Sequence, residues 1–339
     1  MPQVALRQLR RERIDDLGLG AACSYVDCLS LASVTQGDLM SHLRLVASAL
    51  FALLCAGCAS LAKPISLADL EPDPTAGVDA RSGLPKRATH RRSGVVLRLV
   101  PGDASANALF LAETELTVGS WRRFVAETGY RSDAERGVLD DPDHPAVGAF
   151  TATSAGGREW HEQANWSRIF PLLGTEELRD DLPVLYLSAA DAVAFTAHFG
   201  LRLPTAAEWE RAARAGAATR FPWGDEGGDA CRHANLQDRA GARRFPEFNV
   251  PVPCDDGYAV IAPVGSFAPN AAGFFDLVGN VEEWCLVANH THSHYELVGG
   301  SWVADADGAK LSQRASLHQH ARRDFIGFRP ALAIELPAN

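Results

Sequence analysis

The chain has 339 residues, is 47% hydrophobic and 22% charged, and carries a formal net charge of −10. These proportions suit a globular protein with one large domain or two small ones. The acidic balance argues against nucleic acid, because phosphate binding needs clustered Lys and Arg; the only basic runs are short, Arg7 to Arg13 and Lys86 to Arg92.

The first element with recognisable order is "MSHLRLVASALFALLCAGCAS", Met40 to Ser60. A short start with His42 and Arg44 leads into an apolar run from Leu45 to Leu54 and then into small residues. This is the three-part pattern of a secretory signal, and the run is shorter than the roughly 20 apolar residues of a membrane span. "LCAGC" also resembles the lipobox of bacterial lipoproteins, with Cys55 where Leu is usual, which makes Cys58 the expected lipidated residue; a buried helix or an ordinary cleaved signal is the alternative. Signals act at the extreme N-terminus, so residues 1–39 read as an upstream extension ahead of a true start at Met40, with a genuine cytoplasmic extension as the rival. Residues 40–57 are then the signal peptide.

Residues 58–94 are rich in Pro, Gly, Asp and Arg without a sustained apolar period, and read as a flexible tether. Order is expected over 95–336. It opens with the strand-like runs "VVLRLV" and "ALFLAETELTV". Three helices follow from their ends. The first begins at Thr117 and stops at Gly129, with Trp121, Phe124 and Val125 on one face. The second begins at Ser188, with Asp191 as capping-box partner, and stops at Gly200. The third begins at Thr205, with Glu208 completing the box, and runs to Gly216. Beyond Gly216 the closely spaced Gly, Pro, Asn and Asp predict loops and short strands.

"LRLPTAAEWERAARAG" (201–216), "FPWGDE" (221–226), "GFFDLVGNVEEW" (273–284), "GGSW" (299–302) and "GFR" (327–329) resemble, in order and spacing, the sulfatase-modifying-factor or formylglycine-generating enzyme family. The likeness extends upstream to "ETELTVGSWRRFVAETGY" (113–130) and "LPVLYLSAADAVAFTAHFG" (182–200). It implies a single α+β domain of the C-type-lectin-like fold, loop-rich, with short strands and about three helices. It also implies, in the enzymes of the family, a pair of cysteines a few residues after "GGS" that bind copper(I) and oxidise a substrate cysteine with oxygen. The counterparts here are Ala304 and Ala309 or their near neighbours, and 299–339 contains no cysteine. Copper is therefore not expected. Ser301 matches the family's cleft serine, but a hydroxyl without a base is not a catalytic site.

The family binds calcium, and the resemblance extends to those positions. A first site would use the side chains of Asn235 and Asp256 with the carbonyls of Leu236 and Tyr258. A second would use Asn280, the Val281 carbonyl and Glu283. Such mixed oxygen sets suit calcium, although Asn, Asp and Gly are also ordinary turn residues. Glu282 stands where the family usually has Trp. Of seven cysteines, four remain after the signal. Cys231 and Cys254 either close a loop of about 23 residues, worth about 3 kcal/mol, or are two unrelated buried thiols. Cys285, beside Trp284, reads as a core cysteine. His290, His292 and His294 alternate, as do His318 and His320; solvation is the plain reading, a metal the sharper one.

Together these features point to an exported, lipid-anchored, non-catalytic family member on the periplasmic side of a Gram-negative envelope, at the outer membrane before the inner. It would be a binding or assembly module for an envelope protein or peptide. Cysteine-lacking lipoprotein relatives accompany secretion and motility machines, which suggests such a partner by analogy. The alternatives are an enzyme of the family, either a sulfatase-maturing oxidase or an iron-dependent oxidase, and a calcium-dependent lectin-like glycan binder.

Overall fold

The computed structural model describes residues 67–102, 107–138, 147–152, 158–169, 177–246, 252–287 and 293–334. The signal-like segment, Cys58, His290 and His292 lie outside them. No helix among the described residues is long and apolar enough to cross a membrane.

Two antiparallel hairpins open the domain: β1 (Leu70–Pro72), β2 (Arg87–His90), β3 (Val96–Val100) and β4 (Leu109–Ala112). The late strand β11 (Ala331–Ala333) pairs with β4 and completes a five-stranded sheet, so the two ends of the domain meet in it. This corrects the boundary drawn from sequence. The expected tether contributes two strands and the turns between them, with Leu70, Leu84 and Ala88 buried. Its polar residues are used locally: Asp79 accepts the Ser82 N–H (2.8 Å) and Oγ–H (2.8 Å), and Arg87 bridges Asp73 (2.8 Å) and Glu113 (2.7 Å). Aspartate and glycine here make turns between strands rather than a solvated linker. The run at 108–118 is strand only as far as Ala112.

The three long helices are α1 (Val118–Thr128), α3 (Ala189–Phe199) and α4 (Ala206–Arg214). Their caps form as the sequence predicts. Thr117, Ser188 and Thr205 each accept an N–H of the first turn, and Gly129 and Gly200 close the first two in the left-handed region. The third ends one residue early, at Ala215 with φ 46°. Short helices α2 (Asp133–Arg136), α5 (Ala230–His233) and α6 (Arg239–Arg244) add to these. Trp121 and Phe124 of α1 pack on Phe195 of α3, with ring centroids 6.0 and 5.4 Å apart. Burying each such ring stabilises the fold by about 1.5–3 kcal/mol.

A second sheet orders β10 (Ile326–Gly327), β7 (Glu282–Cys285), β8 (His294–Val298) and β9 (Ala315–His318), and a small hairpin pairs β5 (Ala149–Ala152) with β6 (Arg158–His161). The second sheet carries "GNVEEW" and leads into "GGSW", so it sets the geometry of the candidate site.

Candidate functional site

At the end of β8 the chain turns through Gly299 and Gly300, with φ 94° and 69°. A Cβ on Gly300 would lie 2.8 Å from the Ala309 Cα, so this approach requires glycine. Beside the turn lies a cleft of about 380 Å³ whose lining includes Glu282, Gly300, Ser301, Ala304, Gln313 and Leu317. Ser301 is buried and its carbonyl accepts the Ala304 N–H at 2.8 Å. Ala309 is wholly buried against the glycine turn, and Ala304 is half-buried on the cleft. Neither methyl can ligate a metal or exchange with a thiol. Cys285 is the free cysteine among the described residues; it sits in the core, where burial pushes its thiol well above the ordinary value. A thiol held protonated is a poor nucleophile.

The residues expected at the first calcium site come together. Asp256 Oδ1 accepts the Tyr258 N–H (2.8 Å), and the Leu236 backbone also hydrogen-bonds to this carboxylate. Asn235 Nδ2 donates to the Val260 carbonyl (2.6 Å) and to Asn280 Oδ1 (3.1 Å). One oxygen of each side chain, Asn235 Oδ1 and Asp256 Oδ2, is buried without a hydrogen-bond partner. Burial, with the nearby charge of Asp238, pushes the Asp256 carboxyl up to about 7. One amide and one carboxylate oxygen, both buried and without a partner, are the donor types that a hard cation such as calcium takes. Asp238 and Cys231 also lie close to Asp256, but Cys231 is joined to Cys254 (S–S 2.10 Å), so its sulfur is no thiolate ligand.

The second expected set is redrawn. The Asn280 amide already has protein partners: its Oδ1 accepts from Ala262 N–H (2.8 Å) and Asn235, and its Nδ2 donates to Glu115 Oε2 (3.1 Å). Glu283 is held by Arg329 through both oxygens (2.6 and 2.7 Å) and accepts the Trp209 indole N–H at 2.8 Å. The Val281 N–H reaches Glu115 Oε1 at 3.3 Å. A guanidinium therefore occupies the place expected for an ion, and Asn280 is a cross-link between loops. Gly279 permits the crossing, since a Cβ there would meet the Asn235 carbonyl oxygen at 2.2 Å.

Three residues of this cluster escaped sequence reasoning: Glu115, Asp276 and Arg329. Asp276 Oδ2 accepts the Gly265 N–H (2.6 Å), its Oδ1 is buried without a partner, and burial pushes the carboxyl up to about 6. Burial, then Asp276 and Glu283, push Glu115 well above the carboxylate range. Three buried carboxyl groups thus share one arginine, and the charges of Asp276 and Glu283 add to the rise at Glu115. The signal was present, because all three lie inside quoted motifs, "ETELTV", "GFFDLVGN" and "GFR".

The family described as "Sulfatase-modifying factor enzyme 1-like domain" matches residues 97–334. The formylglycine-generating enzyme of Streptomyces coelicolor is 38% identical over 181 residues, which is 51% of this chain and 55% of that protein. The chain thus spans about half the length of that relative. The protein named "Inactive C-alpha-formylglycine-generating enzyme 2" of Mus musculus is 31% identical over 244 residues, 66% of this chain and 74% of that one. Among solved structures, PvdO from Pseudomonas aeruginosa aligns with a TM-score of 0.49 at 22% identity, covering 68% of this chain and 82% of that chain.

Proposed function

This chain belongs to the sulfatase-modifying factor enzyme 1-like family, and we propose that it is an exported, lipid-anchored, non-catalytic member acting as a binding or assembly module in the cell envelope. One observation carries the reading: alanine stands at 304 and 309 beside the cleft, and the free thiol at Cys285 is sealed in the core. The similarity to a mouse relative named inactive supports it. In this reading the cleft by Gly300 receives an extended segment of an envelope protein, and calcium at Asn235 and Asp256 stiffens the loops that shape the domain. Cys58 carries the lipid.

The 38% identity to a formylglycine-generating enzyme favours a rival, an oxidase acting on a peptide cysteine. The two readings differ in what the cleft does. A photo-crosslinking residue at Gln313, on the cleft, should yield an adduct with an envelope protein in intact cells. The same residue at Val193, exposed on α3, should not. Equal adducts at both positions, or none at Gln313, would reject the binding-module reading.

A further inference from the structure

Strand register makes His294 of β8 and His318 of β9 direct partners, with ring centroids 5.7 Å apart. His320 follows β9, its ring 5.4 Å from that of His318. Behind His320 lies Asp133, whose side chain is wholly buried. Asp133 Oδ2 is 2.7 Å from His320 Nδ1 and 2.6 Å from Ser188 Oγ, and its other oxygen pairs with Arg136. A carboxylate oxygen at this distance accepts from an Nδ1–H, which directs Nε2 away from Asp133. Gln319 Nε2, a donor, stands 3.2 Å from that Nε2.

We propose that His294, His318 and His320 form a surface site for one imidazole-preferring divalent transition-metal ion, zinc being the form to test, with Asp133 holding His320 in the ligating tautomer. Zinc–nitrogen bonds of about 2.0–2.1 Å at tetrahedral angles place neighbouring ring centres roughly 5 Å apart, near the 5.7 Å between His294 and His318 and the 5.4 Å between His318 and His320. The three ligating nitrogens do not all lie within 4.8 Å of one another, so binding requires ring rotation, which the exposed His294 permits. A buried carboxylate behind a ligating histidine is the usual means of fixing its tautomer and orientation. Ala315 and Leu317 of the same β9 line the cleft, so the ion would brace one cleft wall against α2.

The full chain, stripped with chelator and returned to buffer containing excess calcium, is titrated with zinc chloride by calorimetry. One zinc should bind per chain. His318→Gln and His320→Gln should each weaken binding at least tenfold, and Asp133→Asn by about 10–100-fold. His318 is only half-buried, so His318→Gln stays informative if Asp133→Asn fails to fold. Cobalt(II) should give the visible absorption of a tetrahedral site in the parent and lose it in His318→Gln. Absence of zinc binding, binding unchanged by His318→Gln, or binding lost only in a His290→Gln, His292→Gln double variant would overturn the proposal.

Discussion

Arg329 and Glu283 form a bidentate pair in the core, Nη2 to Oε1 at 2.6 Å and Nε to Oε2 at 2.7 Å, with both side chains essentially unexposed. The same guanidinium donates to the carbonyls of Phe275 (3.0 Å) and Asp276 (3.2 Å), so it ties the last motif to the loop before β7. Removing one partner of a buried pair costs about 3–5 kcal/mol, because the other charge is left uncompensated. Arg329→Leu should lower the melting temperature by roughly 10 °C. Arg329→Lys should recover only part of it, since an ammonium cannot reproduce the fork. Differential scanning fluorimetry reads both, and a parental melting curve for Arg329→Leu would contradict this role.

Chelation should lower the melting temperature, and added calcium should restore it. An ion that binds only the folded state contributes about 2.7 kcal/mol at a hundredfold excess over Kd. Asp256→Asn should blunt the response while leaving the fold intact in chelator. Elemental analysis showing no calcium, with melting curves indifferent to chelator, would remove the ion from the account.

Reducing the Cys231–Cys254 bond, which spans 23 residues, should cost about 3 kcal/mol by releasing loop entropy to the unfolded chain. Cys254→Ser should reproduce the loss in urea unfolding, and reductant should then have no further effect on the variant.

Asp191 gives a pH signature. It is buried, accepts from the Tyr130 hydroxyl (2.9 Å) and from the Asp133 and Ser188 N–H groups, and burial, with the charge of Asp133, raises its carboxyl to about 7. The folded state therefore holds a proton that the unfolded chain releases near the ordinary 3.8. The resulting stability is complete below that value and is lost as pH rises to about 7. Urea midpoints compared between parent and Asp191→Asn should show a flatter dependence in the variant across that window. Parallel curves would contradict the assignment.

The helices were legible because their signals are local: Thr117, Ser188 and Thr205 cap within three residues, and Gly129 and Gly200 close in φ space reserved largely for glycine. The first two strands were not. Leu70, Leu84 and Ala88 are isolated apolar residues among turn formers, and only pairing with β3 shows that they belong to a core. Motif resemblance named Asn235, Leu236, Asp256 and Tyr258 together, and the Asp256 carboxylate does hydrogen-bond to the Tyr258 and Leu236 backbone. Asn280 and Glu283 were misassigned because a sequence lists oxygens without saying which neighbours already hold them; Asn280 meets Asn235 across 45 residues and Glu283 meets Arg329 across 46.

The proposed non-catalytic role rests on the loss of the cleft thiols found in the family's enzymes. Its direct test incubates the purified chain with copper, oxygen and a peptide carrying Cys-x-Pro-x-Arg, and measures peptide aldehyde by mass spectrometry. Ala304 and Ala309 offer no sulfur at the cleft and Cys285 is enclosed, so aldehyde should not exceed the no-protein control. Aldehyde above that control, and its loss in Cys285→Ser, would contradict the account.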